Sequence, residues 1–205
     1  MWRNRVFLGL CGLLLLTISV GEARLETKKD APHDQMLPSR EILSTGDLIF
    51  RRMHGLASQY VDLLDREGEF SHVGMISVPP NSDQVFVIHV QPENPSTVQQ
   101  ETIQDFLQGA RTFAIYRLTE AGAFADLAVS RAMEWLGERD FDLKFDLETD
   151  HTLYCTELVW KAYLYAGIDI TGGELNHVNF PFLETKVVIL PSSFFESGLV
   201  SQVYP

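Results

Sequence analysis

The stretch Thr152-Leu153-Tyr154-Cys155-Thr156-Glu157-Leu158-Val159-Trp160 decides the fold of this chain. It is typical of a helix start, with Thr152 as the predicted N-cap and Cys155 at position N3. A thiol there lies close to unpaired backbone N–H groups and to the positive end of the helix dipole, so we expect its pKa to fall below 8.5. The apolar positions that follow share one helical stripe, which we expect to face a sheet: Leu158, Val159, Ala162 and Ala166.

Residues 1–23 have the pattern of a secretory signal peptide, with Arg3 and Arg5 before an apolar run over 6–20 and small residues at Gly21 and Ala23. The alternative is an uncleaved membrane anchor, but the run is shorter than the roughly 20 apolar residues of a spanning helix. We therefore expect an exported protein, periplasmic or secreted, with no stable membrane span after cleavage. Cys155 is then the only cysteine of the mature chain, and an unpaired thiol in an oxidising compartment favours a functional role.

Composition and pattern predict one globular domain over residues 44–205, preceded by a flexible arm over 24–43. The chain has 205 residues, is 45% hydrophobic and carries a formal net charge of −12, which disfavours a nucleic-acid partner. The fold class predicted is α+β, with a mainly antiparallel sheet packed against helices. Strands are predicted at 48–50, 70–78, 83–91, 111–118 and 186–190, and helices at 55–65, 98–108, 121–138, 152–167 and from 191.

Two histidines lie in the predicted hairpin that joins strands 70–78 and 83–91. If Val78 pairs with Asp83 across the turn, His72 lies directly opposite His89, with Cβ atoms roughly 4.5–5.5 Å apart. The neighbouring positions on that face are small or apolar, and a polar pair there favours a functional reading. Two alternatives stay open: a polar pair on a solvent-facing sheet surface, or zinc ligands together with Cys155. The spacing is not typical of zinc sites, and we expect no cofactor.

These residues suggest a nucleophile, a base and an orienting group: Cys155, His72 and His89. His72 would accept the thiol proton, and His89 would hold the tautomer of His72. The backbone N–H of Cys155 would form part of an oxyanion hole, which Tyr154 or Ser71 would complete.

Four motifs then occur in an order that resembles a known family: Thr45-Gly46-Asp47-Leu48-Ile49-Phe50, Ser71-His72-Val73-Gly74-Met75, Val87-Ile88-His89 and Tyr154-Cys155-Thr156-Glu157-Leu158-Val159-Trp160. They resemble the permuted papain-like enzymes, the YiiX/YaeF/YebB-like branch of the NlpC superfamily of cysteine peptidases and amidases. The resemblance covers roughly residues 44–168. It implies that Cys155 is the nucleophile and His72 its base. The third polar position falls on His89, where YiiX-like members carry an acidic residue.

The function predicted is that of an exported cysteine hydrolase, a peptidase or amidase, that cleaves an amide bond through an acyl-enzyme. The expected substrate partner is a peptide, peptidoglycan or an acyl lipid, with peptidoglycan stem peptide the family's best-known type. One alternative is a lipid acyltransferase or thioesterase that uses the same three residues. The others are a catalytically inactive binding module and a metal-binding protein.

Overall fold

The computed structural model describes residues 36–65, 68–178 and 185–205. The predicted signal peptide and the first part of the predicted arm lie outside the described residues. After a 3-10 turn at Arg40–Ile42, the helices are α1 Leu56–Leu64, α2 Ile103–Phe106, α3 Ala123–Met133, α4 Cys155–Tyr165 and α5 Pro191–Glu196. The strands are β1 Leu48–Arg52, β2 His72–Ser77, β3 Phe86–His89, β4 Gln99–Thr102, β5 Thr112–Leu118, β6 Asp140–Phe141, β7 Thr152–Leu153, β8 Asn176–Val178, β9 Lys186–Val188 and β10 Val200–Tyr204.

Six of the strands form one sheet in the order β10-β5-β1-β2-β3-β4, and each neighbouring pair in it is antiparallel. Two smaller pairs, β6 with β7 and β8 with β9, lie outside this sheet. The predicted α+β class, an antiparallel sheet packed against helices, is confirmed.

Side chains alternate along β1, β2 and β3, so the sheet has two buried faces. On one face Leu48, Val73 and Met75 pack against apolar residues of α3, α4 and α5. On the other face Ile49 and Ile76 belong to a second apolar cluster. The short helix α2 covers this cluster with Ile103 and Phe106, and Leu107 follows directly after the helix. Because both faces are covered, a polar side chain on either one is desolvated.

Two predictions about local structure are corrected by the structure. The helix predicted over 121–138 is shorter, Ala123–Met133, and its buried positions are small residues, whereas Phe124 and Leu127 are exposed. The segment predicted as a helix over 98–108 begins as strand β4, and only Ile103–Phe106 is α-helical. The polar first half of 98–108 pairs with β3, and this tertiary pairing outweighs the local helical pattern.

The hairpin register also differs from the prediction. Met75 pairs with Ile88 and Ile76 with Val87, and the same register continued places Gly74 opposite His89 and His72 opposite Gln91. The prediction was therefore wrong by two residues. Since side chains alternate with a period of two, the shift keeps both histidines on one face, as diagonal rather than directly opposed neighbours.

The last residues of the predicted arm pack against the domain. The Arg40 side chain donates hydrogen bonds to the backbone oxygens of Pro79 and Ser82, and Leu43 is buried in the second apolar cluster. None of the helices in the described ranges is long and apolar enough to cross a membrane.

Gly74 sets the close approach of β2 to β3. A Cβ atom there would lie 2.4 Å from Val87 Cγ1 and 3.3 Å from His89 Cβ. We expect Gly74→Ala to lower the free energy of unfolding by about 1–3 kcal/mol, because the core would be overpacked. Chemical denaturation would measure it, with Ser201→Ala on the exposed edge strand β10 as a control that changes stability by less than about 0.5 kcal/mol. Equal stabilities for the two variants would contradict the close packing.

Candidate active site

A cavity of about 710 Å³ lies where β1 ends and β2 begins. This volume is within the range of small-molecule sites, roughly 300–1,000 Å³. Among the polar side chains of its wall are Arg51 from β1, His72 from β2, Glu101 from β4 and Cys155 from α4. The predicted nucleophile and the predicted base therefore line one cavity.

Cys155 is the first residue of α4, and Tyr154 is its N-cap. The prediction that Thr152 caps the helix was wrong, because Thr152 pairs with Asp140 in the β6–β7 ladder. At N1 the backbone N–H of Cys155 is one of the four that have no intrahelical partner. Cys155 is therefore closer to the open end of the helix than the sequence suggested.

The start of α4 is fixed by a fully buried carboxylate. Glu157 accepts a hydrogen bond from the backbone N–H of Tyr154 at 3.2 Å and pairs with Lys161 Nζ at 3.0 Å. Burial raises the pKa of Glu157 to about 7, and the nearby Lys161 opposes that rise. Glu157 thus acts at the helix start, and its side chain is held away from the thiol.

The rings of His72 and His89 contact each other, as predicted, although the two residues are diagonal and not directly opposed. His72 Nε2 lies 3.0 Å from His89 Nδ1, and both side chains are buried. The other nitrogen of His89, Nε2, lies 2.9 Å from Glu101 Oε1. The angle of this second contact departs from that of an ideal hydrogen bond, and Nε2 is otherwise unpartnered in the buried interior. His72, His89 and Glu101 thus form a chain of contacts that ends at the partly exposed Glu101 carboxylate.

Cys155 and the histidines reach the cavity from opposite layers. The apolar stripe of α4 faces the sheet as predicted, and Cys155 packs beside it on the Val73 face. The histidines alternate to the other face, that of Ile76, so the stripe does not face them. Both groups still line the cavity because His72 is the first residue of β2, where the sheet no longer separates the layers.

Arg51 and Phe106 complete the environment of the histidines, and the sequence analysis missed both. Arg51 lies opposite His72 in the β1–β2 register and is buried. Its guanidinium lies 4.0 Å from the centre of the Phe106 ring, donates to the Phe106 carbonyl and donates to Gln91 Oε1 at 2.9 Å. The Phe106 ring also packs on both imidazoles, with ring centres 5.6 Å from His72 and 5.1 Å from His89.

Sequence signals for Arg51 and Glu101 existed but were weak. Arg51 follows the apolar run 48–50 with the spacing that places it on the Ile49 face. Glu101 shares a face with His89 only once β4 is paired with β3, which the predicted helix over 98–108 concealed. Pairing across strands, rather than any local motif, brings these charges to the site.

Desolvation dominates the protonation of the site and reverses one prediction. Burial raises the pKa of the Cys155 thiol to about 11, although backbone N–H groups and the charge of Arg51 act in the opposite direction. Burial, then Arg51 and then His89, hold the pKa of His72 well below its usual value. The resting cavity at neutral pH therefore holds a neutral thiol and a neutral imidazole, not the activated thiolate that the sequence suggested.

The two residues predicted to complete an oxyanion hole occupy different places. The Tyr154 ring is buried in the core, and its hydroxyl accepts a hydrogen bond from the Ile189 N–H at 2.9 Å. Ser71 lines the cavity, and its Oγ accepts from Ser58 Oγ at 2.7 Å and from Met53 N–H at 3.3 Å. With both lone pairs engaged, the Ser71 hydroxyl hydrogen is free for a third partner. This geometry favours Ser71 over Tyr154.

The wall of the cavity near Cys155 is apolar and comes from the loop after β6. Phe141, Leu143 and Phe145 line it, and Leu143 is 76% exposed. The buried Asp142 carboxylate holds this loop by accepting from the backbone N–H groups of Lys144 and Asp146 at 2.7 and 2.6 Å. Asp142 therefore shapes the loop.

The described residues contain no group of three or more His, Cys, Asp or Glu side chains arranged to hold a metal ion. Among these residues, His72 Nε2 and His89 Nδ1 face each other and form a pair.

The family model of the permuted papain-like amidases, YaeF/YiiX, C92 family, matches residues 42–204. The chain belongs to this family. A permuted papain-like amidase is a cysteine hydrolase, and the fold agrees. The structure is similar to the crystal structure of metalloprotein yiiX from Escherichia coli O157:H7, with a TM-score of 0.66 and 20% sequence identity. The match covers 79% of this chain and 98% of that one, and at this identity it concerns the fold alone. A comparison with curated proteins finds no match.

The neutral resting state of this amidase can be measured by alkylation of Cys155. With a thiol pKa near 11, we expect iodoacetamide at pH 7.5 to react roughly 100-fold more slowly with Cys155 than with N-acetylcysteine. The rate should rise about tenfold per pH unit between pH 8 and 10, because the thiolate fraction rises in that proportion. Mass spectrometry of the peptide that contains Cys155 would follow the reaction. A rate that reaches its plateau below pH 8.5 would contradict the raised pKa.

Proposed function

We propose that this amidase cleaves an amide bond through a thioester on Cys155, with His72 as general base and His89 as the group that orients it. The observation that carries the proposal is the cavity that Cys155 and His72 share, together with the 3.0 Å contact from His72 Nε2 to His89 Nδ1. This contact leaves His72 Nδ1 as the nitrogen that can receive a proton from the thiol.

The first half of the reaction transfers the acyl group to the enzyme. Sγ of Cys155 attacks the amide carbonyl carbon while the thiol proton passes to His72 Nδ1. The oxygen that becomes negative accepts hydrogen bonds from the Cys155 backbone N–H and from the Ser71 hydroxyl. The C–N bond then breaks, and His72 returns the proton to the leaving amine. In the second half a water molecule gives its proton to His72 and attacks the thioester, which frees the acid and the thiol.

The neutral resting site supports a concerted proton transfer. A thiol with a raised pKa and an imidazole with a lowered pKa do not exchange a proton before substrate binds. The Arg51 guanidinium stabilises the negative charge that develops beside it, since its charge already favours the thiolate form of Cys155. The charge on sulfur then appears only as the new bond forms.

The apolar wall of Phe141, Leu143 and Phe145 supports a substrate whose acyl side is bulky and apolar. Peptide, peptidoglycan stem peptide and an acyl lipid were the partner classes expected from the sequence, and this wall fits an acyl chain or an apolar side chain best. The same wall favours a second candidate function on the same residues. In an acyltransferase an alcohol would take the place of water as the acyl acceptor, and in a thioesterase a thiol would take the place of the amine as the leaving group.

A series of acyl 4-nitroanilides tests the mechanism and the acyl preference together. We expect turnover to increase from acetyl to octanoyl and dodecanoyl substrates, because longer chains cover more of the apolar wall. Cys155→Ala should abolish turnover without shifting the unfolding transition, and the wild type should carry the acyl group on the Cys155 peptide in mass spectra. Turnover retained by Cys155→Ala would contradict the mechanism.

Product analysis separates the two functions. Free carboxylic acid as the sole acyl product in the presence of added glycerol or ethanol supports the hydrolase. An ester that forms in preference to the acid supports the acyltransferase.

We propose in addition that the protein is exported and that cleavage follows Ala23, so that the mature chain begins at Arg24. The support is the basic, apolar and small-residue pattern of residues 1–23. In a bacterial host, intact-mass measurement of the exported protein should give the chain 24–205, and Ala23→Arg should block processing. A wild-type chain that keeps Met1 and stays with the membrane fraction would contradict cleavage.

A further inference from the structure

The chain of polar contacts that begins at His72 does not end at His89. Glu101 Oε1 lies 2.9 Å from His89 Nε2, on the side of the ring away from His72. In the β3–β4 register Val87 pairs with Glu101 and His89 with Gln99, so Glu101 and His89 are diagonal neighbours on one face of the sheet. Three strands therefore supply three consecutive members of one chain of contacts.

We infer that Glu101 is a positioning residue that fixes the tautomer of His72 through His89. This inference rests on the proposed role of His72 as the base. Glu101 does not touch the reacting atoms, and its effect reaches them through two ring contacts.

A carboxylate accepts hydrogen bonds and donates none, so the hydrogen between His89 and Glu101 belongs to His89 Nε2. Burial lowers the pKa of His89, so the ring is neutral and carries one N–H. His89 Nδ1 is then the acceptor, and the hydrogen between the two rings belongs to His72 Nε2. His72 Nδ1 is left without a hydrogen, which is the form that can accept the thiol proton.

Without a carboxylate at position 101, the contact between the two histidines can run in either direction. With the hydrogen on His89 Nδ1, His72 Nε2 becomes the acceptor and His72 Nδ1 carries the hydrogen. That form of His72 cannot act as a base toward Cys155. The 3.0 Å ring contact is equally good in both directions, so the groups at the two outer nitrogens, His72 Nδ1 and His89 Nε2, select between them. At His89 Nε2 that group is Glu101.

The other charged groups near His89 do not make this selection. Arg51 and Glu93 both act on His89 through space, and Arg51 opposes its protonation while Glu93 favours it. Neither contacts a His89 nitrogen. His89 Nε2 is buried, and Glu101 is its one polar neighbour in the described part of the chain.

The test measures the tautomers in the resting protein by ¹⁵N NMR of the histidine ring nitrogens. The signals of His72 and His89 are assigned by comparison with His72→Asn and His89→Asn. We expect His72 to carry its hydrogen on Nε2 in the wild type. In Glu101→Gln the amide can donate as well as accept, so a substantial fraction of His72 should shift to the Nδ1–H form, and Glu101→Leu should show the same.

Kinetics on the best nitroanilide supply the second measurement. In Glu101→Gln we expect kcat to fall at least about 100-fold with KM nearly unchanged, because the wrong tautomer of a catalytic histidine costs up to about 10⁴ in the serine proteases. Glu93→Gln removes one negative charge from the same cavity without breaking the His89–Glu101 contact, so it should keep the wild-type tautomer of His72.

An Nδ1–H form of His72 in the wild type would overturn the inference. So would a His72 tautomer that stays at its wild-type state in both Glu101 variants. Glu101→Gln is isosteric and position 101 is partly exposed on the edge strand β4, so the fold tolerates the change. Because NMR reads the resting protein, the tautomer result stands apart from the turnover of Cys155→Ala, which tests the proposed function itself.

Discussion

The contact between His72 Nε2 and His89 Nδ1 depends on a diagonal offset between β2 and β3 and on the missing side chain at Gly74. Gly74 stands opposite His89, and a Cβ atom there would press on both Val87 and His89. The open position lets the His89 ring lean along the strand toward His72. Phe106 then closes the pair from the side, and its ring holds both imidazoles and the Arg51 guanidinium. The geometry of the base is thus a consequence of strand packing.

The sequence predicted the shared face of the two histidines better than their exact positions, and the reason is the period of a strand. Strand faces depend only on whether positions are odd or even, so His72 and His89 were placed on one face although the register was wrong by two residues. Cys155 was predicted at N3 and lies at N1, and both positions belong to the first turn, so the prediction of a helix start is confirmed. Arg51 and Glu101 could not be found locally, because charged residues at strand ends are usually solvated and only strand pairing brings these to the cavity.

Burial has opposite effects on the two reacting groups, and together these effects favour a base-assisted attack. Desolvation penalises the thiolate and the imidazolium alike, so it raises the pKa of Cys155 and lowers that of His72. A neutral imidazole remains available as a base at neutral pH, and a neutral thiol is less prone to oxidation than a thiolate would be. The cost is that charge separation has to be stabilised during the reaction itself.

Arg51 and Glu101 bring opposite charges to one cavity, and the two charges also attract each other. The positive guanidinium favours negative charge on the Cys155 side, while it opposes protonation of both histidines. The Glu101 carboxylate contacts His89, where it favours protonation and acts against the effect of Arg51 on that ring. In the proposed proton transfer from Cys155 to His72, Arg51 therefore stabilises the thiolate that forms and opposes the imidazolium, while Glu101 acts against that opposition through His89. Both charges are held on separate strands, so the proposed transfer takes place between fixed charges that do not themselves take part in it.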